Sequence, residues 1–217
     1  MNCIYYNPVM YPVKKGYLKV TGTGTVKAIP DTAVANLGVV TENPVLEAAR
    51  NENAVKSNSV VNMLTNMGIE RKHIRTGGFS IDPLYDFIDG KQVFRGYRVS
   101  NILNVTIKDI ARAGEIIDRA TYAGVNRVDS INFTLSDQAH YYDNALRLAI
   151  ENALHKASEI GSALNIEVDS IPYKIVEKSI EAPVYDTFAA KLSSPSTPLL
   201  PGQLEITSIV LTVIGYR

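Results

Sequence analysis

Three histidines, His73, His140 and His155, come first, because imidazole is the side chain best suited to proton transfer and metal ligation near neutral pH. His73 stands at a predicted helix-to-strand turn beside Arg71, Lys72 and Arg75, a basic setting that opposes both protonation and metal binding. His140 and His155 share one predicted helix but lie four turns apart, about 22 Å along its axis, too far to share a metal. All three are expected to be exposed or packed rather than ligating. The sequence contains no Gly-x-Ser-x-Gly elbow, no Walker loop and no His-Glu-x-x-His. Gly22-Thr23-Gly24 begins like a dinucleotide fingerprint, but Lys27 stands where the third glycine belongs and no helix opens there. Glycines within a strand mark instead a bulge or a close backbone approach. The remaining cluster is Asp82, Tyr85, Asp86 and Asp89, an acidic loop with the chemistry to hold a cation or a carbohydrate, and it is the candidate ligand loop. Tyr141-Tyr142-Asp143 is a second cluster; at helical spacing Tyr142 belongs to the core and Tyr141 to the surface or an interface. No catalytic, metal-ligating or cofactor-binding residue is predicted, and no cofactor is implied.

Composition narrows the classes further. The chain of 217 residues, 46% of them hydrophobic, has enough material for a substantial core in one domain or two intimate subdomains. Twenty-two basic and 22 acidic residues balance, which gives no general pull toward nucleic acid or an anionic membrane. The single cysteine, Cys3, excludes an intramolecular disulfide and cysteine-based zinc sites. No stretch approaches the roughly 18 to 20 apolar residues of a membrane span. The opening MNCIYYNPVMYPVKKG lacks a basic start, and Asn7, Pro8 and Pro12 interrupt what would have to be an apolar helix. Its reading as something other than a signal peptide predicts a cytoplasmic protein.

The elements that would position these residues follow from periodicity. Residues 1–16 read as a flexible or extended arm whose Tyr5, Tyr6 and Tyr11 are candidate interface residues. Two strands follow, bent at Ile29-Pro30-Asp31. Residues Thr41 to Gly68 read as a helix capped by Thr41 or Asn43, with Leu46, Ala49, Val60, Leu64 and Met67 on one stripe and Asn53 and Ser57 between them. A strand from Ile74 to Tyr85 turns at Asp89-Gly90, which suits a tight hairpin, and returns through Val93 and Tyr97. Alternation at Tyr97, Val99, Leu103, Val105 and Ile107, broken by Asn101, gives way near Asp109 to a helical period that ends at Gly124. A strand from Val128 to Leu135 leads to a long helix, Asp137 to Leu164, capped by Ser136 or Asp137. There Ala145, Ala149, Ala153, Ala157 and Gly161 form one row and Tyr142, Leu146, Ile150 and Leu154 the next, so the helix should lie close on a sheet. Strands at Ile171 to Ile180 and Leu204 to Tyr216 bracket a Pro/Ser-rich loop, 181–202, in which Pro195 and Pro198 are further candidate interface residues. The last strand is apolar on both faces and should be central in a sheet or covered by a partner. The fold class is α+β: two similar β-α-β-β units, 17–109 and 126–217, with helices on antiparallel or mixed sheet, joined by a short central helix at 110–125.

Several motifs, in order, resemble the SIMPL domain family: VTGTGTVKAIPDTAVANLGV at Val20 to Val39, then GYRVSN, VTIKDI, AGEIIDRA and GVNRVDSINFTLSD with the Tyr-rich helix after them, and LPGQLEITSIVLTV at Leu200 to Val213. The resemblance covers nearly everything after Tyr17. That family includes bacterial periplasmic immunogenic proteins and an oxidative-stress defence protein, many of its members are secreted, and it offers no established catalytic residues to carry over. The lack of a catalytic constellation, the doubly apolar last strand, the Tyr/Pro arm and the Pro/Ser loop together predict a non-enzymatic, homo-oligomeric scaffold or assembly protein, which the resemblance links to envelope or stress physiology. The alternative is a small-molecule or peptide binding module with its ligand near the acidic loop.

Overall fold

A computed structural model describes residues 16–178, 184–186 and 198–217. Cys3, Tyr5, Tyr6, Tyr11 and Pro195 lie outside the described residues; Pro198 is exposed. The elements in order are β1 (Gly16–Ala28), β2 (Thr32–Asn43), α1 (Leu46–Asn66), β3 (Ile74–Ile88), β4 (Lys91–Ile107), α2 (Ala113–Ala123), β5 (Arg127–Thr134), α3 (Gln138–Leu164), β6 (Lys174–Lys178), β7 (Val184–Asp186) and β8 (Gln203–Tyr216). The chain is α+β, with two sheets ordered β3-β4-β2-β5 and β1-β8-β6, and β7 also paired to β8.

These elements gather into two compact units, Ile29–Gln138 with Tyr185–Leu204, and Met1–Ala28 with Ala139–Val184 and Glu205–Arg217. In the first, β2 pairs antiparallel with both β4 and β5, and β3 pairs with β4. Ala33, Ala35, Leu37 and Val39 alternate along β2, and Leu103, Val105 and Ile107 along β4; with Val60 and Leu64 of α1 and Ile116, Ile117 and Ala120 of α2 they form one buried cluster. The buried stripe of α1 is Ala49, Asn53, Ser57, Val60 and Leu64, as its sequence period requires. Its start differs from the expectation. Thr41 and Asn43 belong to β2, and α1 begins at Leu46, because Pro44 drives the preceding residue toward extended backbone. Asn43 still serves the turn, its Oδ1 accepting from Val45 N at 2.9 Å, while the Thr41 hydroxyl donates to the Ala49 carbonyl at 2.8 Å.

In the second unit α3 lies on the sheet through its small residues. Ala145, Ala149, Ala153, Ala157 and Gly161 are its buried row, and Leu146, Ile150 and Leu154 pack beside them. The strand opposite supplies glycines. A Cβ added at Gly22 would stand 2.0 Å from the Ala149 carbonyl oxygen, and one at Gly24 would stand 2.1 Å from that of Ala145. Close backbone approach is therefore the role of Gly22-Thr23-Gly24. β8 is the central strand of this sheet, which accounts for its apolar character on both faces. Sequence order does not dictate strand partners: β1 joins β8, and β5 joins β2.

Candidate functional site

The acidic loop expected at Asp82 to Asp89 is not a loop. Asp82, Tyr85 and Asp86 lie in β3, and Asp89 with Gly90 forms the turn of a long antiparallel hairpin running from Ile74↔Val105 to Ile88↔Lys91. Asp89 and Gly90 both have positive φ, 49° and 76°, as the tight hairpin turn demands and as Asp-Gly tolerates best. The carboxylates are already engaged or dispersed. The Ser80 hydroxyl donates to Asp82 at 3.0 Å, and Asp86 sits 3.6 Å from the Arg95 guanidinium. Among the described residues no group of His, Cys, Asp or Glu has the arrangement to hold a metal ion. Asp82 and Asp86, four residues apart, share the strand face opposite the rings, but each is met by its own neighbour rather than by a common centre.

What the hairpin does assemble is an aromatic face. The register places Phe79 opposite Asn101, Ile81 opposite Val99 and Pro83 opposite Tyr97; past the irregularity at Leu84/Tyr85 it places Tyr85 opposite Phe94. Asn101 donates to Ser57 of α1 and Val99 is buried, so this is the face that the helices cover lower down. Toward the tip no helix among the described residues covers it. Phe79 is 56% exposed, Tyr85 49%, Phe94 47% and Phe87 72%. The rings form a chain of edge contacts, Tyr85 to Phe94 with centroids 5.8 Å apart and Phe94 to Tyr97 at 5.2 Å. Pro83 is tolerated because β3 is the edge strand of its sheet.

The base of this arm is fixed by charge. Glu42 accepts from Arg95 at 2.7 Å and from Arg98 at 2.8 Å, and the Arg98 hydrogen bond in particular holds its carboxyl below the usual range. Leu84, Gly96 and Asn43-Pro44 frame a shallow cavity of about 180 Å³ beside these groups.

The other candidates separate. His140 and His155 are exposed on α3. His73 is partly buried, its Nε2 3.8 Å from Glu70, with Lys72 and not the imidazole making the short contact to that carboxylate at 2.7 Å. Tyr141 stacks edge-on against His140. Tyr142 is half-buried, and its hydroxyl donates to Glu177, whose carboxylate pushes the phenol pKa up. Asp31, a turn residue by its sequence setting, makes a staple that sequence reasoning missed. Its Oδ1 accepts from Ser136 N and its Oδ2 from the Ser136 hydroxyl, both at 2.7 Å, and Thr32 Oγ1 adds a bond of 2.8 Å.

Comparison with known proteins places the chain in a family without adding chemistry. The model of the SIMPL family, described as "Protein of unknown function (DUF541)", matches residues 18–214. The chain is 27% identical over 197 residues to the 26 kDa periplasmic immunogenic protein of Brucella melitensis, covering 86% of this chain and 79% of that protein. It is 27% identical over 149 residues to the uncharacterized protein YggE of Escherichia coli K12, covering 69% of this chain and 61% of that one. A YggE of Edwardsiella ictaluri is 24% identical over 152 residues, 70% of this chain and 64% of that protein. The periplasmic relatives overturn the cytoplasmic location expected from the N-terminal residues. That expectation rested only on the lack of signal-peptide features in the opening residues, which says nothing about the folded part.

Proposed function

The chain belongs to the SIMPL family, and from that premise we propose that it is a non-enzymatic assembly protein of the periplasm, built into a homo-oligomer through the aromatic arm of β3 and β4. The observation that carries the reading is the uncovered apolar face formed by Phe79, Ile81, Tyr85, Phe87 and Phe94. Half-exposed aromatic side chains at this density offer on the order of 500 Å² of apolar surface, near the upper end for a monomer's largest patch. A standard interface takes about 800 Å² from each partner, which the arm and its flanks can supply. A second copy is the natural occupant because a two-fold contact needs one surface only, the same apolar face from each subunit. The periplasmic setting follows the names of two relatives.

The test is the solution mass of the full chain by light scattering across a dilution series, beside a variant carrying Tyr85→Ser, Phe87→Ser and Phe94→Ser. These positions are exposed, so the variant keeps its fold. A defined multimer for the natural chain and a monomer for the variant are expected; a natural chain that is monomeric throughout sinks the proposal.

A second reading, a peptide-binding module, has one feature in its favour: β3 is a long edge strand with no strand partner on its outer side among the described residues, so an added strand could pair there. It predicts a monomer whose melting temperature rises with an extended apolar peptide.

A further inference from the structure

We propose, resting on the assembly reading above, that Glu42 and Arg95 form a latch that sets the angle of the aromatic arm, and that ionic strength controls self-association through this latch. The strands β2 and β4 pair from Ala33↔Ile107 to Asn43↔Tyr97, and β2 ends there. From Gly96 toward the tip, β4 pairs with β3 alone among the described residues. A two-stranded ribbon by itself is only marginally stable in water, so its direction has to be held from its base.

The ladder is irregular at that base. Leu84 pairs with Gly96 and Tyr85 with Phe94, which leaves Arg95 as an extra residue with no partner opposite. Such a bulge bends its strand and re-aims a side chain. Arg95 is the side chain re-aimed: its Nη2 donates to Glu42 Oε2 at 2.7 Å, and its Nε lies 3.6 Å from Asp86 Oδ1. On the other side of the bulge, Arg98 Nε donates to Glu42 Oε1 at 2.8 Å. One carboxylate of β2 thus holds two guanidinium groups, one at the root of the arm and one on the sheet. Between them stands Gly96, where a Cβ would lie 2.7 Å from the Asn43 carbonyl oxygen and 3.0 Å from Pro44 Cα, so the base of the ribbon rests directly on the backbone that closes β2.

The rings depend on the same bulge. Phe94 and Tyr97, three residues apart, would fall on opposite faces of a regular strand; the extra residue brings them to one face, with centroids 5.2 Å apart. Holding the arm in place before two copies meet removes an ordering cost that otherwise opposes association, and a two-fold contact contains two arms. The latch is built from partly exposed ions, Glu42 at 38%, Arg95 at 46% and Arg98 at 45%. Ion pairs of this kind weaken as salt rises, the screening length falling from about 10 Å at 0.1 M to about 3 Å at 1 M. Apolar contact between rings has no such dependence. Salt should therefore loosen an assembly whose direct contacts are apolar.

The test is light scattering of the full chain across a dilution series in about 0.05 M and about 0.5 M sodium chloride, beside Glu42→Gln, which keeps the side-chain shape and removes the charge. For the natural chain, the concentration at half-dissociation is expected to rise about fivefold with salt; Glu42→Gln should begin at the weaker value and change by less than about twofold. A natural chain whose assembly is indifferent to salt or tightens with it, or a Glu42→Gln chain that matches it in low salt, overturns the latch. A second readout needs no assembly. In the chain carrying Tyr85→Ser, Phe87→Ser and Phe94→Ser, adding Glu42→Gln should speed hydrogen exchange of the amides of residues 85–94 at least about threefold and leave those of β2 unchanged. Equal exchange in the arm overturns the latch even where the natural chain assembles. Faster exchange beside a natural chain that stays monomeric keeps the latch and strikes only the assembly reading.

Discussion

Within the first unit a short polar relay runs through an otherwise apolar interface. The Asn53 amide donates to the Val39 carbonyl at 2.8 Å and to the Val99 carbonyl at 3.0 Å, tying α1 to both central strands. Ser57 donates to Asn53 Oδ1 at 3.3 Å, and Asn101 donates in turn to Ser57 at 3.0 Å. Asn53 and Ser57 are both buried. Removing one member strands the others, and a buried polar group left without a partner costs about 1 to 3 kcal/mol. Asn53→Ala should therefore lower unfolding free energy by that amount in denaturant titration; a change within about 0.5 kcal/mol, the range of an ordinary surface substitution, counts against the relay. The second residue-scale prediction concerns Asp31. Hydrogen bonding from Ser136 holds its carboxyl below the usual carboxylate range. The folded state thus binds fewer protons than the unfolded one between the two pKa values, and the staple's contribution is full above the unfolded value and disappears as pH falls through the folded one. Asp31→Asn should lose about 1 kcal/mol at neutral pH and show a flatter acid limb than the natural chain below about pH 4. Parallel acid limbs for the two proteins would assign the acid sensitivity elsewhere.

At the scale of elements, the contact of α3 with β1 is the most tightly constrained. Backbone carbonyls of α3 leave no room for a methyl at Gly22 or Gly24, and forcing one in moves a whole helix. Gly22→Ala is expected to destabilise by about 1 to 3 kcal/mol in thermal and chemical unfolding. Thr23→Val, between the two glycines and exposed, should be nearly silent. This contact was legible from sequence on both sides, because an alanine row every fourth residue and a Gly-x-Gly strand each announce close approach by local spacing. The buried stripe of α1 and the alternation of β4 were legible for the same reason. The strand exchange was not. Nothing in residues 127–134 says that they pair with Ala33 to Gly38 rather than with the last strand, because partner choice is settled by contacts between residues distant in the chain. The arm was misread for a different reason. Phe79, Ile81, Tyr85 and Phe87 alternate visibly, and Asp89-Gly90 was recognised as a turn, but Pro83 interrupts the pattern, and the acidic residues between the rings drew attention to ligand chemistry, although no metal-holding group forms there among the described residues. No local signal says that a helix stops short of covering a strand. The Asp31 staple was equally hidden, its partner Ser136 lying 105 residues away.

For the molecule as a whole, the two units rest on different kinds of packing. The unit containing β2 and β4 buries Leu37, Leu64, Ile107, Val60 and Val105 completely or nearly so. The unit containing α3 buries a cluster of Val20, Val210 and Ile214 against Ala149, Ala153 and Ala157. Hydrophobic stabilisation scales with apolar area at about 25 cal/mol per Å², and an alanine contributes far less area than a leucine or isoleucine. Close approach recovers dispersion energy, but that recovery depends on sub-ångström fit and disappears with small separations. Opening should accordingly begin in the unit with the alanine-rich interface. Native-state hydrogen exchange is expected to show amides in the centre of α3 and in β8 exchanging with lower protection than those in β2 and β4. If α3 amides instead exchange last, through global unfolding alone, the small-residue contact is the stronger of the two packings, and area is the wrong measure of stability for this fold.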